Sequence, residues 1–107
     1  MLKKYVKERR YIRGRRFEYR VRDHFKKHGF LVIRSAQSKP LDLVCLKNGY
    51  IVLVECKVGR TKLGETEKAK FLAMAETAGA TPVLAYRLNQ KMFLVNVETG
   101  QLFLFLG

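Results

Sequence analysis

The stretch that decides the fold is residues 42–57, DLVCLKNGYIVLVECK, in which two apolar runs flank Asn48-Gly49. An Asn-Gly pair between apolar runs is the strongest short-range signal for a β-hairpin with a two-residue turn. Counting outward from this turn places Asp42 opposite Glu55. Directly opposed residues on antiparallel strands hold their Cβ atoms about 4.5–5.5 Å apart, and like charges at that distance destabilise the sheet. The pattern therefore predicts a cation between these two carboxylates.

A lysine completes this charged patch. Lys57 follows Glu55 by two residues, so the alternation of a strand puts both side chains on the same face. Carboxylate oxygens suit Mg²⁺ or Mn²⁺ better than zinc, and the backbone carbonyl of Cys56 is a further candidate ligand. A divalent cation can neutralise the charge that develops in phosphodiester hydrolysis. Lys57 can orient the attacking water, stabilise charge or act as a base, and the sequence leaves these roles open.

The less specific interpretation is that two acids and a lysine lie unconnected at strand ends. An acid followed two residues later by lysine is common in proteins and by itself indicates little. The opposing Asp42 across an Asn-Gly turn, on a strongly basic chain, makes the combination more specific. We therefore interpret the patch as a nuclease site.

The charge of the chain indicates the partner. Its 107 residues suffice for one domain, and they carry 22 Lys and Arg against 9 Asp and Glu, a formal net charge of +13. Residues 1–27 alone hold twelve basic and three acidic side chains. Such self-repulsion is typical of a protein whose partner is a polyanion. We favour nucleic acid over an anionic membrane surface, because residues 1–13 lack the broad apolar stripe of an interfacial helix.

Composition also limits location and redox chemistry. No apolar run reaches the length of a membrane span, and the N-terminus is too polar for a signal peptide. We expect a cytoplasmic protein associated with nucleoid or viral DNA. Cys45 and Cys56 are too far apart in the predicted hairpin for a disulfide and should be free thiols.

Periodicity predicts an α/β fold with a mixed central β-sheet flanked by helices. We assign a basic N-terminal arm to residues 1–13 and a single domain to residues 14–107. The apolar spacing of Phe17, Val21 and Phe25 predicts the buried stripe of the first helix. The predicted helices are residues 14–28 and 65–78, the second with an apolar face of Ala69, Leu72, Ala73 and Ala75; the predicted strands are residues 30–35, 41–47, 50–58, 82–88, 91–97 and 102–106.

Burial is also predicted for three strands. Leu31-Val32-Ile33 and residues 51–54 are apolar at consecutive positions, which is typical of strands covered on both faces. The hairpin should therefore be central, with the charged patch at a strand end. Residues 102–106 are also apolar on both faces, and we expect them to be buried within the subunit or by a second one.

The combination of Asp42 with Glu55-Cys56-Lys57 resembles the PD-(D/E)xK nuclease signature. More narrowly, the chain is similar to the archaeal-type (Hjc-like) Holliday junction resolvases from about residue 14 to about residue 86. That narrower similarity also rests on Gly14 and Glu18 in the first helix and on Arg34-Ser35-Ala36-Gln37-Ser38. Tyr19 departs from it, because a basic residue is expected after the acid.

The resemblance implies a restriction-endonuclease-like fold and a Mg²⁺-dependent endodeoxyribonuclease, with Mn²⁺ as a substitute. Such an enzyme would be a homodimer that resolves four-way DNA junctions by paired phosphodiester hydrolysis. Glu18 would join Asp42 and Glu55 as a metal ligand or water-positioning acid. The alternatives are a related nuclease acting on nicked, flap or other branched DNA, and a non-catalytic DNA-binding module.

The resemblance also implies that Arg34 and Ser38 contact the phosphate near the scissile bond. Other basic residues are candidates for binding DNA because of the charge pattern, although plain solubility would also explain Arg60 and Lys62. They are Lys39, Arg13, Arg15, Arg16, Arg60 and Lys62. Glu18 likewise has a simpler alternative, an ion pair with Arg22 one helical turn away.

Overall fold

The computed structural model describes residues 2–35 and 41–103, with side chains from residue 9 onward. Within these residues, five strands form one sheet in the order β1-β2-β3-β4-β5, in which only the β3–β4 pair is parallel. This confirms the predicted mixed sheet with flanking helices. The elements are α1 Leu2–Lys27, β1 Leu31–Arg34, β2 Leu43–Lys47, β3 Tyr50–Val58, α2 Glu65–Ala78, β4 Thr81–Leu88 and β5 Lys91–Asn96.

The central hairpin has the predicted register from its turn outward. Lys47 pairs with Tyr50, and the ladder continues to Leu43 opposite Val54. Asn48 and Gly49 both have positive φ, 49° and 79°. Two positive values are characteristic of a type I′ turn, whose twist matches that of the flanking strands. The dipeptide therefore determines which β3 residue lies beside each β2 residue.

Helix α1 is longer than predicted, since it begins at Leu2 rather than near Gly14. No proline interrupts residues 2–27, and a single interior glycine costs only about 1 kcal/mol relative to alanine. The predicted boundary between arm and domain therefore falls inside a continuous helix of 26 residues. Phe17, Val21 and Phe25 are buried against the sheet, as their spacing predicts. Among the described residues, no helix is long and apolar enough to cross a membrane.

The two helices cover opposite faces of the sheet. Val52 and Val54 pack in the cluster under α1, whereas the intervening Leu53 packs with Phe71 and Ala75 of α2. The predicted apolar face of α2 was partly wrong: Ala75 is buried, but Ala69 and Ala73 are exposed and Leu72 is only half-buried. The reason is that α2 is oriented by the large ring of Phe71, with Ala75 one turn later.

The prediction that β1 is covered on both faces was wrong. Leu31 is 63% exposed and Ile33 is 50% exposed. Strand β1 is an edge strand, and α2 packs against β4 on the other side of the sheet's centre. Strand β3 is central, as predicted, and its residues Val52, Leu53 and Val54 are buried.

The structure agrees only in part with the prediction for the C-terminal strand, residues 102–106. Leu102 forms an isolated bridge with Val95 but is 62% exposed, so its burial within the subunit was wrongly predicted, and its burial by a second subunit stays a prediction. Phe103 packs against the core under α1, and residues 104–106 lie outside the described residues. Cys45 and Cys56 are free thiols, as predicted. Burial raises the pKa of the Cys45 thiol to about 12, so this thiol is inert at neutral pH.

Candidate active site

Asp42 lies at an irregularity where β2 begins. The regular ladder ends at Leu43 opposite Val54, and the N–H of Asp42 donates to the carbonyl oxygen of Val54 at 3.1 Å. Asp42 and Leu43 therefore both lie opposite Val54, and two residues of one strand opposite a single residue of its partner form a β-bulge. The predicted direct opposition of Asp42 and Glu55 was therefore wrong by one position. The alternation of side chains between the two faces of the sheet is also interrupted here. Leu41 packs on the α2 face, although Leu43, two residues later, packs under α1.

The bulge directs the Asp42 carboxylate at the end of β3. Asp42 is 6% exposed, and its Oδ2 accepts a hydrogen bond from the backbone N–H of Cys56 at 2.7 Å. Cys56 lies between Glu55 and Lys57, so the aspartate is held beside the backbone of both. The carbonyl of Asp42 also accepts the N–H of Ser35 at 3.0 Å. Bulges often re-aim a side chain next to an active site, and this one fixes a buried carboxylate at the predicted site.

Glu55 and Lys57 follow Leu53 at intervals of two residues, so strand alternation places both on the face covered by α2. The contact of Lys57 agrees with this placement. Its Nζ donates to Oε2 of Glu67, in the first turn of α2, at 3.0 Å. The ammonium group thus lies between the end of β3 and the start of α2.

The sequence reasoning missed Glu67. Its Oε1 accepts hydrogen bonds from Arg60 Nη2 at 3.0 Å and from the backbone N–H of Gly64 at 3.1 Å. Lys57, then Gly64 and then Arg60 lower the pKa of the Glu67 carboxyl to about 2. One sequence signal was available, because an acid three residues after a helix N-cap commonly hydrogen-bonds back to the cap N–H.

Glu18 contacts a different partner from the one considered in the sequence. It forms an ion pair with Arg34 of β1 at 2.8 Å, whereas Arg22 pairs with Asp23. The hydrogen bond from Arg34 to Glu18 raises the pKa of the guanidinium. Among the described residues, no three His, Cys, Asp or Glu side chains are grouped to hold a metal ion. The predicted role of Glu18 as a further ligand remains a prediction.

Tyr19, the departure from the resemblance, lies within a cluster of arginines. The guanidinium groups of Arg22 and Arg34 lie over its ring, 4.5 and 4.6 Å from the centroid. Arg15 is 5.7 Å from the same centroid and donates to the Tyr19 hydroxyl at 2.9 Å. Cation–π contacts of this kind are favourable at such distances. The ring therefore gathers positive charge beside Glu18 where a basic residue was expected.

The other predicted DNA-binding residues lie at several places. Arg13, Arg15 and Arg16 are exposed along α1. Arg60 is bound to Glu67, and Lys62 lines a cleft of about 500 Å³ beside β4 and β5. Ser38 and Lys39 lie outside the described residues.

The donor set fits a hard divalent cation. Asp42 supplies a buried carboxylate that is fixed by the N–H of Cys56. Glu55, the residue before Cys56, supplies a second carboxylate. Mg²⁺ in proteins is commonly held through one or two carboxylates and retains several waters. The side chain of Cys56 points into the α1 core, which leaves only its backbone carbonyl as a ligand.

The fold and the acids at the end of its hairpin define an α/β domain of nuclease-like architecture. A family model described as archaeal Holliday junction resolvase (Hjc) matches residues 9–101, and the chain belongs to that family. It is 34% identical over 90 residues to the crossover junction endodeoxyribonuclease Hjc of Methanocaldococcus jannaschii, covering 81% of this chain and 68% of that protein.

Solved structures show the same relationship. The structure of Archaeoglobus fulgidus Hjc, a Holliday junction resolvase from an archaeal hyperthermophile, matches with a TM-score of 0.69 and 25% sequence identity. The match covers 80% of this chain and 74% of that one. The resemblance derived from the sequence is thereby confirmed, as is the fold class.

Proposed function

We propose that this protein is a Mg²⁺-dependent endonuclease that resolves four-way DNA junctions by paired phosphodiester hydrolysis. The observation that carries the proposal is the 2.7 Å hydrogen bond from Cys56 N–H to the buried Asp42 carboxylate in a member of the Hjc family. That bond joins the Asp of one strand to the Glu-x-Lys of the next. Function here rests on the site together with the family, because a fold alone hosts many activities.

Each residue of the site has a proposed task. Asp42 and Glu55, with the carbonyl of Cys56, would hold Mg²⁺ or its substitute Mn²⁺. When bound, the cation would supply Lewis-acid stabilisation of charge on the phosphate. Lys57 would orient the attacking water or stabilise developing charge from the α2 face. Arg34, held at 2.8 Å by Glu18, would contact the adjacent phosphate.

The basic surface supports DNA as the substrate. Arginines project from α1 on exposed positions, and Arg34 joins them at Tyr19. Phosphate contacts fix the position of a protein on DNA with little sequence information, so we infer recognition of junction shape. A non-catalytic DNA-binding module would also need this charge. A module of that kind would not explain why the buried carboxylate of Asp42 is directed at the segment that carries Glu55.

We also infer a homodimer, because a paired cleavage needs two sites. The uncovered face of edge strand β1 exposes Leu31 and Ile33, and their cross-strand partners Leu46 and Val44 extend the apolar surface. Exposed apolar edge strands favour pairing with another chain. Light scattering should give a mass near twice 12.4 kDa, and Leu31→Glu should lower it. A monomeric mass at micromolar concentration would contradict the dimer.

A panel of labelled substrates tests the proposed activity. In Mg²⁺ we expect paired cuts in a four-way junction and at least about tenfold slower cleavage of flap, nicked and linear duplexes of the same sequence. Preferential cleavage of flaps or nicks would instead support a related branched-DNA nuclease. Equal cleavage of linear duplex would exclude a resolvase, and binding without hydrolysis of any substrate would favour the non-catalytic module.

A further inference from the structure

We propose that Glu67 is a positioning residue for Lys57, holding the ammonium group at the active site before the substrate arrives. This inference rests on the proposed nuclease function. The contact spans the end of β3 and the first turn of α2, with Lys57 Nζ 3.0 Å from Glu67 Oε2. Among the described residues, Glu67 is the side-chain partner to which Lys57 donates a hydrogen bond.

The two oxygens of Glu67 have separate partners. Oε1 accepts from Gly64 N–H and from Arg60, which fixes the carboxylate to the start of the helix and to the preceding loop. Oε2 remains directed at Lys57. A lysine side chain loses considerable rotamer entropy when it is fixed. A carboxylate already held by two other donors can restrict that lysine without having to be ordered itself.

The pair is placed for positioning rather than for stability. The Lys57 side chain is 23% exposed and the Glu67 side chain 42% exposed. Ion pairs at such exposure contribute little to the free energy of folding. The N-terminus of α2 favours an anion at this position, and the low pKa of Glu67, about 2, keeps the carboxylate ionised at any ordinary assay pH. The expected consequence is therefore a fixed location for the ammonium group.

The alternative is that Glu67 only caps α2. Glu67→Gln separates the two roles, because glutamine also serves in this capping position. Its amide oxygen can accept Gly64 N–H, while the NH₂ group would then face the Lys57 ammonium, donor against donor. Glu65→Gln is the matched control, since Glu65 is an exposed acid of the same turn and its replacement changes the net charge equally.

The experiment measures three quantities for wild type and both variants: single-turnover cleavage of a labelled four-way junction in Mg²⁺, junction Kd without Mg²⁺, and the thermal midpoint. For Glu67→Gln we expect cleavage to fall about 10–100-fold, as for other residues that orient an active-site group. Junction Kd should stay within about twofold of wild type, because the lost contact acts on orientation and not on DNA binding. Glu65→Gln should match wild type in all three quantities.

The outcomes separate the inference from the proposed function. If wild type cleaves and Glu67→Gln cleaves equally well or faster, the positioning role is wrong and the nuclease proposal stands. A fall in cleavage matched by equal losses in Kd and thermal midpoint would show a structural role and would also overturn it. If wild type does not cleave any junction, the proposed function itself fails.

A second measurement tests the contact without altering Glu67. In the Lys57→Met variant, NMR titration of the Glu67 carboxylate should show its pKa rising from about 2 toward the ordinary value of 4.5. The rise is expected because the hydrogen bond from Lys57 is the largest cause of the depression. An unchanged pKa would show that Lys57 does not engage Glu67 in solution, which overturns the inference.

Discussion

Asp42→Asn is expected to slow Mg²⁺-dependent cleavage of a four-way junction on the order of a thousandfold, the scale seen when a preorganised electrostatic group is removed. Asparagine keeps a side-chain oxygen that can accept Cys56 N–H, so the link between β2 and β3 can persist. The negative charge needed to hold a divalent cation is lost. Junction affinity should be unchanged or slightly higher, because an anion beside the DNA phosphates has been removed.

Single-turnover cleavage and a binding titration without Mg²⁺ measure the two effects separately. Asp23→Asn is the matched control, since Asp23 is an exposed acid on α1 that pairs with Arg22 and the change in charge is the same. Its cleavage should equal that of wild type within about twofold. A fully active Asp42→Asn protein would remove Asp42 from the proposed chemistry.

Phe25→Ala is expected to lower the free energy of unfolding by about 3–5 kcal/mol, the usual range for removing a buried aromatic ring. Phe25 of α1 is fully buried against the sheet, and its ring meets Phe30 edge-on at 5.3 Å and stacks on Phe103 at 6.2 Å. Small domains have total stabilities of about 5–15 kcal/mol. The loss should therefore be visible as a large fall in the urea midpoint.

Urea unfolding followed by circular dichroism measures this change. Leu88→Ala, which truncates an exposed apolar side chain at the end of β4, should change stability by no more than about 0.5 kcal/mol. Similar effects of the two substitutions would contradict the assignment of the core to the α1 face.

Local patterns predicted the parts of the fold that local physics determines. The Asn48-Gly49 turn set the register of β2 and β3, and the spacing of Phe17, Val21 and Phe25 set the buried side of α1. The coverage of β1 could not be predicted in this way. It depends on the tertiary structure. Helix α2 packs against β4, which leaves Leu31 of β1 exposed although β1 has the sequence of a buried strand.

The candidate site, too, was predicted only where the local sequence determines it. Counting from the turn placed Asp42 and Glu55 at the same end of the hairpin but missed the bulge, where the Asp42 carbonyl accepts a hydrogen bond from the N–H of Ser35, the residue after β1. Glu67 was missed because its contact with Lys57 crosses the loop that joins β3 to α2. The resemblance to a family supplied Glu18, and the contact with Arg34 became visible only in the fold.

In the proposed mechanism, the carboxylates of Asp42 and Glu55 jointly bind one divalent ion. Anomalous diffraction from crystals soaked in Mn²⁺ tests it most directly, with Asp42→Asn crystals as the comparison. We expect one strong peak within about 2.5 Å of carboxylate oxygens of both Asp42 and Glu55, and its loss in the variant. A peak elsewhere, or none at saturating Mn²⁺, would contradict it.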